Sequence, residues 1–402
     1  MKLWHKVIIG LVLGVVFGVY LPEHATTVKP IGDIFLRLIQ MIILPVIFFS
    51  LVAGITGMHD PSSLGRVGMK SVVAFLGTTF FAVIFGMAVA FILKPGEGVM
   101  IDFGVSQARN FKEGGFDLTG FLIYIVPNTI VGAFAEGKTL RVVFFAIFTG
   151  FILNTMGSVV EPIKQFTALM SKIVLKMISK VVEFSPYGAF ALTAWVVGTQ
   201  GLDVMISLSR LVFAIVIAMA MQYLIFGLII IVFARMSPIP FYKKSLEYQS
   251  IALSTGSSKA SLATTMQVCR QKLGVSESST SFVLPLGASI NMNGFAINLS
   301  LTTIFFAQVM GIELTMSEYM IIVTMSTLGS IGGAGIPGGS LIMLPMVLAS
   351  VNMPIEGVAI IAGIDRVLDL LRTAINITGD ATITLVIDSS EGTLDKDVYN
   401  SD

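Results

Sequence analysis

The chain has 402 residues, 55% of them hydrophobic and only 12% charged, with a formal net charge of +1. Soluble domains are about half apolar and about a quarter charged, so this balance excludes an ordinary soluble fold. The net charge of +1 says nothing about nucleic acid, but no segment is basic with interleaved aromatics and no nucleic-acid partner is expected; a lone cysteine, Cys269, excludes a disulfide framework or cysteine metal site.

The composition is that of an all-α polytopic membrane protein. The first predicted span, 4–21, carries VIIGLVLGVVFGVYL behind Lys2, His5 and Lys6. It is too long for a signal peptide, and Leu21-Pro22-Glu23-His24 is no small-residue cleavage site. Spans two and three are predicted at 30–58 and 67–95, each long enough as helix for the ~30 Å of hydrocarbon that takes ~20 apolar residues to cross. A polar segment runs to about residue 117. The fourth span is broken around Pro127-Asn128-Thr129 and Glu136-Gly137-Lys138, resuming at VVFFAIFTGFIL. Residues 161–199 are expected to form one long tilted helix, with Lys164, Lys172, Lys176 and Lys180 snorkelling to the interface. A sixth span is predicted at 205–234. No segment alternates as a barrel strand does, and His5, His24 and His59 sit apart near span ends, which argues against a histidine-ligated metal.

Beyond residue 240 the pattern changes. At 240–272, two apolar arms of ~12 to 14 residues flank Ser254-Thr255-Gly256-Ser257-Ser258-Lys259-Ala260-Ser261, and at ~1.5 Å per residue each falls short of crossing. The plan recurs at 317–352 around Gly329-Ser330-Ile331-Gly332-Gly333-Ala334-Gly335-Ile336-Pro337-Gly338-Gly339-Ser340. A polar-spotted, broken span follows each, around Asn291 and around Asp369. Paired, interrupted hairpins of this kind mark an inverted repeat in a secondary transporter, because non-helical backbone at membrane depth survives only against protein or a water-filled cavity. The expected architecture is therefore eight transmembrane helices plus two re-entrant helical hairpins; ordinary loops between short spans are the plainer alternative, and the repetition argues against them. Lys and Arg cluster on the side shared by both termini, which the positive-inside rule makes cytoplasmic. The acidic tail after Ile387 is expected to be disordered.

The last span contains DRVLDLLRTAINITGD. Wound at about 100° per residue, Asp365, Asp369, Arg372, Thr373, Asn376 and Asp380 share one stripe of about 100°. Arg366 lies just off it. Each central charge costs ~2.5 to 3.5 kcal/mol on insertion scales, and pairing Asp369 with Arg372 leaves carboxylates over. That surplus calls for a small hard cation. Arg372 offers a rigid fork for a carboxylate, Asp369 a partner for an ammonium, and the backbone amides of the hairpin tips a cradle for a second carboxylate.

The tip Ser257-Ser258, the segment Gly287-Ala288-Ser289-Ile290-Asn291-Met292-Asn293-Gly294, the tip Ser330 to Gly338 and the stripe Asp365 to Asp380 together resemble the glutamate/aspartate transporter family, the dicarboxylate/amino acid:cation symporters. The resemblance spans essentially the whole chain. It implies a homotrimer in the cell (inner) membrane, with scaffold at 1–66 and 100–200, an elevator-type transport domain at 67–99 and 201–388, and a cytoplasmic tail at 389–402. The implied substrate set is Ser257, Ser258, Phe295, Gly335, Ile336, Pro337, Gly338, Asp369, Arg372, Thr373 and Asn376. The implied Na+ positions are Gly287, Asn291, Asn376 and Asp380 for one ion, Ser289, Met292, Ser330 and Ile331 for a second, and Thr78, Thr79, Asn291 and Asn293 for a third.

Four departures bear on chemistry. Asn293 stands where the family has an aspartate, and Phe75 where it has a tyrosine, so the third cation site lacks a carboxylate and a phenol. Phe295 replaces a threonine that touches the substrate. Lys259 takes a position usually serine, facing either the depleted cation site or the cytoplasmic vestibule. The leading expectation is uptake of glutamate or aspartate with Na+ or H+ and no organic cofactor, with a C4-dicarboxylate or a neutral amino acid as the alternative solute. An ion channel leaves Arg372 unexplained, and an enzyme finds no nucleophile with a spaced base.

Overall fold

A computed structural model describes residues 3–56, 66–98, 123, 126–201, 203–332, 339–355 and 357–401; every regular element among them is helical. Helix α1 (Leu3–Tyr20) turns through Pro22–His24 into α2 (Ala25–Thr56), the axes bending by 114°. Helix α3 (Arg66–Leu93) follows, and then the fourth predicted span, broken as expected into α4 (Ile130–Ala135) and α5 (Thr139–Thr155). The polar segment before α4 lies largely outside the described residues.

The helix expected over 161–199 is instead two, α6 (Glu161–Val182) and α7 (Ser185–Gln200). Pro186 marks the division: with no N–H it cannot continue the preceding helix, whereas near the start of a new one no such bond is needed. The separation lets α7 lie along α1. Gly10, Gly14 and Gly18 form one small-residue row, and a Cβ on them would stand 2.4, 2.6 and 2.8 Å from the carbonyl oxygens of Pro186, Phe190 and Ala194. Close backbone approach over such a row is how apolar helices associate where lipid is as apolar as the side chains.

Helix α8 (Asp203–Ile229, continuing to Ala234) leads into the second half of the chain. There, α9 (Ile239–Thr255) and α10 (Ser258–Gln271) pack as a helical hairpin, turning at Gly256 with φ +63°. Next come α11 (Glu277–Ile290) and α12 (Asn293–Val309), interrupted where Asn291 takes φ −99° and ψ 97°. A second hairpin pairs α13 (Met316–Gly332) with α14 (Ser340–Ser350). The arms hold 17 and 14 residues in the first hairpin and 17 and 11 in the second, so the longer arms exceed expectation.

Helix α15 (Val358–Glu391) is continuous over 34 residues, where the repeat led us to expect a second broken span. Its hydroxyls are satisfied without leaving the helix: Thr373, Thr378, Thr382 and Thr384 each donate to the carbonyl four residues back, at 2.7–2.8 Å. Helices α8, α9, α10, α11, α12 and α14 pack on α15, and so do α1, α3 and α7 from the first half, which leaves the polar stripe enclosed by helices. Among the described residues, four segments are long and apolar enough to cross a membrane: Arg66–Leu93, Met205–Ala234, Glu277–Val309 and Val367–Glu391.

The tail is not disordered. After Gly392 at φ +73°, the chain turns into a short helix α16 (Lys396–Asn400), with Tyr399 fully buried and its hydroxyl donating to Ser237 O at 2.7 Å. The Lys244 ammonium donates to the carbonyls of Lys272, Val398 and Tyr399 at 2.8–3.0 Å, and Asp395 N to Gly274 O at 2.8 Å. Asp388 completes the junction by accepting from Ser276 N at 2.9 Å. Charge alone misled the reading here, because a buried aromatic and satisfied carbonyls offset the entropy of ordering a short polar segment. Tyr399→Ala is expected to destabilise the protein by about 3 kcal/mol, the lower end for deleting a buried aromatic ring. A fall in melting temperature, with faster backbone hydrogen exchange over 239–244 and 272–276, is the measurement; unchanged exchange there would refute the clamp.

Candidate substrate and cation site

All six stripe residues, Asp365, Asp369, Arg372, Thr373, Asn376 and Asp380, are buried. Arg372 reaches back along α15. Its Nη1 donates to Asp365 Oδ1 at 2.8 Å and its Nη2 to Asp369 Oδ1 at 3.0 Å. Ser340, the first residue of α14, donates its hydroxyl to Asp365 and so ties the second hairpin to this pair. The Phe295 ring lies 5.5 Å from the guanidinium carbon, close enough for a cation–π contact. One guanidinium between two carboxylates leaves one formal negative charge in a region with almost no water contact. Burial of that kind is tolerated only when charges are paired and hydrogen-bonded, and the Arg372 Nε–H still has no partner among the described residues.

One turn on, the break between α11 and α12 meets α15. Asn376 Oδ1 accepts from Gly294 N at 2.8 Å, and its Nδ2 lies 3.1 Å from Met292 Sδ. The fit depends on glycine: a Cβ on Gly294 would stand 2.9 Å from Arg372 O. The break leaves the last carbonyls of α11 and the first amides of α12 without partners in their own helices, so cation-attracting and anion-attracting helix ends adjoin.

At the far end, Asp380 Oδ1 accepts from Asn291 Nδ2 at 2.9 Å, and Asp380 Oδ2 is buried with no partner among the described residues. Thr78 and Thr79 donate to Asn291 Oδ1 at 3.3 and 3.5 Å, and Thr79 also reaches Asn293 Oδ1 at 3.2 Å. Phe75 closes the group, since a Cβ on Gly287 would meet both its ring and Asp380 Oδ1 at 2.8 Å. A carboxylate oxygen, amide oxygens, hydroxyls and freed carbonyls are the donor set that hard monovalent and divalent cations take. The residues present therefore fit a cation beside Asp380.

The remaining expected positions are divided. Ser258 is buried at the start of α10, and α10 packs on α15; Ser257 is half-buried, its carbonyl accepting from Ser261 N at 3.1 Å. Ser289 is exposed and donates to Pro285 O at 3.0 Å, while Ser330 is buried and donates to Thr327 O at 2.7 Å. Both hydroxyls donate within their own helices and keep their oxygen lone pairs. Met292 is buried and Ile331 half-buried. Gly335, Ile336, Pro337 and Gly338 lie outside the described residues, as do the side chains of Lys259 and Arg366. Ser340 was missed as a contributor to the site. Its position at the foot of a helix just past a glycine-rich tip was the available signal.

A many-helix membrane protein whose most enclosed long helix carries an ion-paired arginine, an amide and a lone carboxylate is built as a solute transporter. Residues 3–390 match the sodium:dicarboxylate symporter family, and the chain belongs to that family. It is 35% identical to the C4-dicarboxylate transport protein of Laribacter hongkongensis, over 98% of this chain and 91% of that protein. It is also 34% identical to C4-dicarboxylate transport protein 2 of Mesorhizobium japonicum (98% and 90% covered) and 33% identical to the C4-dicarboxylate transport protein of Rhodospirillum rubrum (98% and 90% covered). These names favour the dicarboxylate alternative over the glutamate or aspartate put first on sequence grounds.

Proposed function

We propose that this protein is a cation-coupled symporter of a C4-dicarboxylate across the cell (inner) membrane, and not of an acidic amino acid. What supports the choice is the likeness, at 33–35% identity over nearly the whole chain, to relatives named C4-dicarboxylate transport proteins; an amino acid would in addition need a carboxylate for its ammonium, and Asp369 is bonded to Arg372. A dicarboxylate needs no such partner. Arg372 would receive one carboxylate through its Nε–H and the Nη hydrogens not given to the aspartates, and the first amides of α12 with Asn376, Thr373 and the hairpin tips, among them Ser258, would receive the other. Asp380 with the carbonyls of Gly287, Asn291 and Asn376 would carry a co-transported Na+ or H+ as cargo.

The same reading takes the two helical hairpins as re-entrant, the chain as eight spans with cytoplasmic termini, and 67–99 with 201–388 as the moving part of an elevator within a homotrimer. Arms of at most 17 residues support the first of these, since at ~1.5 Å per residue they fall short of ~30 Å of hydrocarbon. The test is uptake of radiolabelled succinate, aspartate and glutamate into proteoliposomes under Na+, H+ or no gradient. Gradient-driven succinate uptake that unlabelled aspartate does not inhibit is the expected result. Saturable aspartate uptake with no succinate uptake would overturn the proposal.

A further inference from the structure

Polar side chains continue along α12 past Gly294 and Phe295. Gly294, Asn298, Thr302 and Phe306 recur every four residues and so form one row on that helix. Both ends of the row touch α15: a Cβ on Gly294 would stand 3.0 Å from Arg372 Cα, and one on Gly357 would stand 2.3 Å from the Phe306 ring. The two helices therefore run antiparallel, and the middle of the row, Asn298 and Thr302, faces the stretch of α15 between Gly357 and Arg372. That stretch carries Asp365, toward which the Arg372 guanidinium extends.

Asn298 and Thr302 are both fully buried. Asn298 Oδ1, Asn298 Nδ2, Thr302 Oγ1 and Arg372 Nε all have no hydrogen-bond partner among the described residues. The omission is local, since Ser300 and Thr303 on the same helix donate to Ile297 O at 3.2 Å and Leu299 O at 2.7 Å. Unmet polar atoms at such depth are costly, and a site of this kind favours a ligand that satisfies them. An amide offers a donor and an acceptor side by side. The group that answers both at once is a hydroxyl, which donates and accepts through one oxygen.

We propose that Asn298, supported by Thr302, is a specificity residue that hydrogen-bonds a hydroxyl on the carbon chain of the dicarboxylate, so that a 2-hydroxy C4-dicarboxylate is taken in preference to its unsubstituted counterpart. This rests on the dicarboxylate reading above. A polar site built for a hydroxyl discriminates against the analogue lacking one because its own groups are then left unpaired.

The experiment compares uptake of labelled L-malate and succinate in proteoliposomes of the full chain, for wild type, Asn298→Leu and Thr302→Val. Expected is a wild-type KM for malate at least about ten-fold below that for succinate, with Asn298→Leu moving the ratio of the two toward one. Thr302→Val, nearly isosteric, moves it the same way and serves should the leucine variant misfold. Equal wild-type KM values, or variants that change both KM values by the same factor, overturn the assignment and mark these atoms as water-bound and structural. Succinate uptake without malate preference refutes this inference alone; failure to transport either acid refutes the dicarboxylate reading with it.

Discussion

Arg372→Ala is expected to abolish measurable dicarboxylate binding and to lower the melting temperature of the protein. Both effects have the same origin. The guanidinium is bonded to both Asp365 and Asp369, and all three are buried. Removing one partner of a buried ion pair costs about 3–5 kcal/mol because the charge left behind stays desolvated. For the ligand, losing a buried hydrogen-bonded charge pair costs on the order of 2–5 kcal/mol, or on the order of a hundredfold in affinity. Arg372→Lys separates the two effects. A lysine restores a point charge for the aspartates but not the planar fork, so stability should partly return while affinity does not. The measurements are thermal unfolding of the purified protein and equilibrium binding of labelled succinate. Wild-type succinate affinity in the alanine variant would remove Arg372 from the substrate site.

Asp380→Asn should uncouple one cation while leaving the fold in place. Asparagine keeps the shape of the side chain and can still pair with Asn291 through its oxygen. It loses the charge on the buried oxygen that has no partner. With that oxygen neutral, the carbonyls around it lack the field strength to replace a cation's hydration shell. Sodium titrations of uptake should become shallower and shift to higher concentration, and an unaltered titration would show that Asp380 binds no coupled ion. The converse substitution, Asn293→Asp, adds a carboxylate beside Thr79, which lies 3.2 Å away. It should steepen the same titration; an unchanged slope would mean that this position does not limit coupling.

Much of the site could be anticipated because α-helical geometry is local. The 3.6-residue period decides which side chains share a face before any packing is known, and all six polar residues predicted to share a stripe on α15 are buried together. The interruption at Asn291 and the two hairpins were equally legible, since short apolar runs punctuated by Gly and Ser end helices wherever they occur. The break at Pro186 was also written locally and was outweighed by the lysine pattern around it.

The partners were not legible. That Ser340 closes on Asp365, that Thr79 reaches Asn293, and that Tyr399 docks beneath Ser237 all depend on how helices distant in the chain are set against one another. The amino-acid sequence by itself determined an all-helical membrane protein with one charged, amide-bearing face, because hydrophobicity and helical period act residue by residue. Only the tertiary structure decided that Ser340 closes on Asp365 and that the buried Asn298 amide has no partner among the described residues. Hydrogen bonds form over about 3 Å, and no pattern along the chain sets the packing of helices to that tolerance.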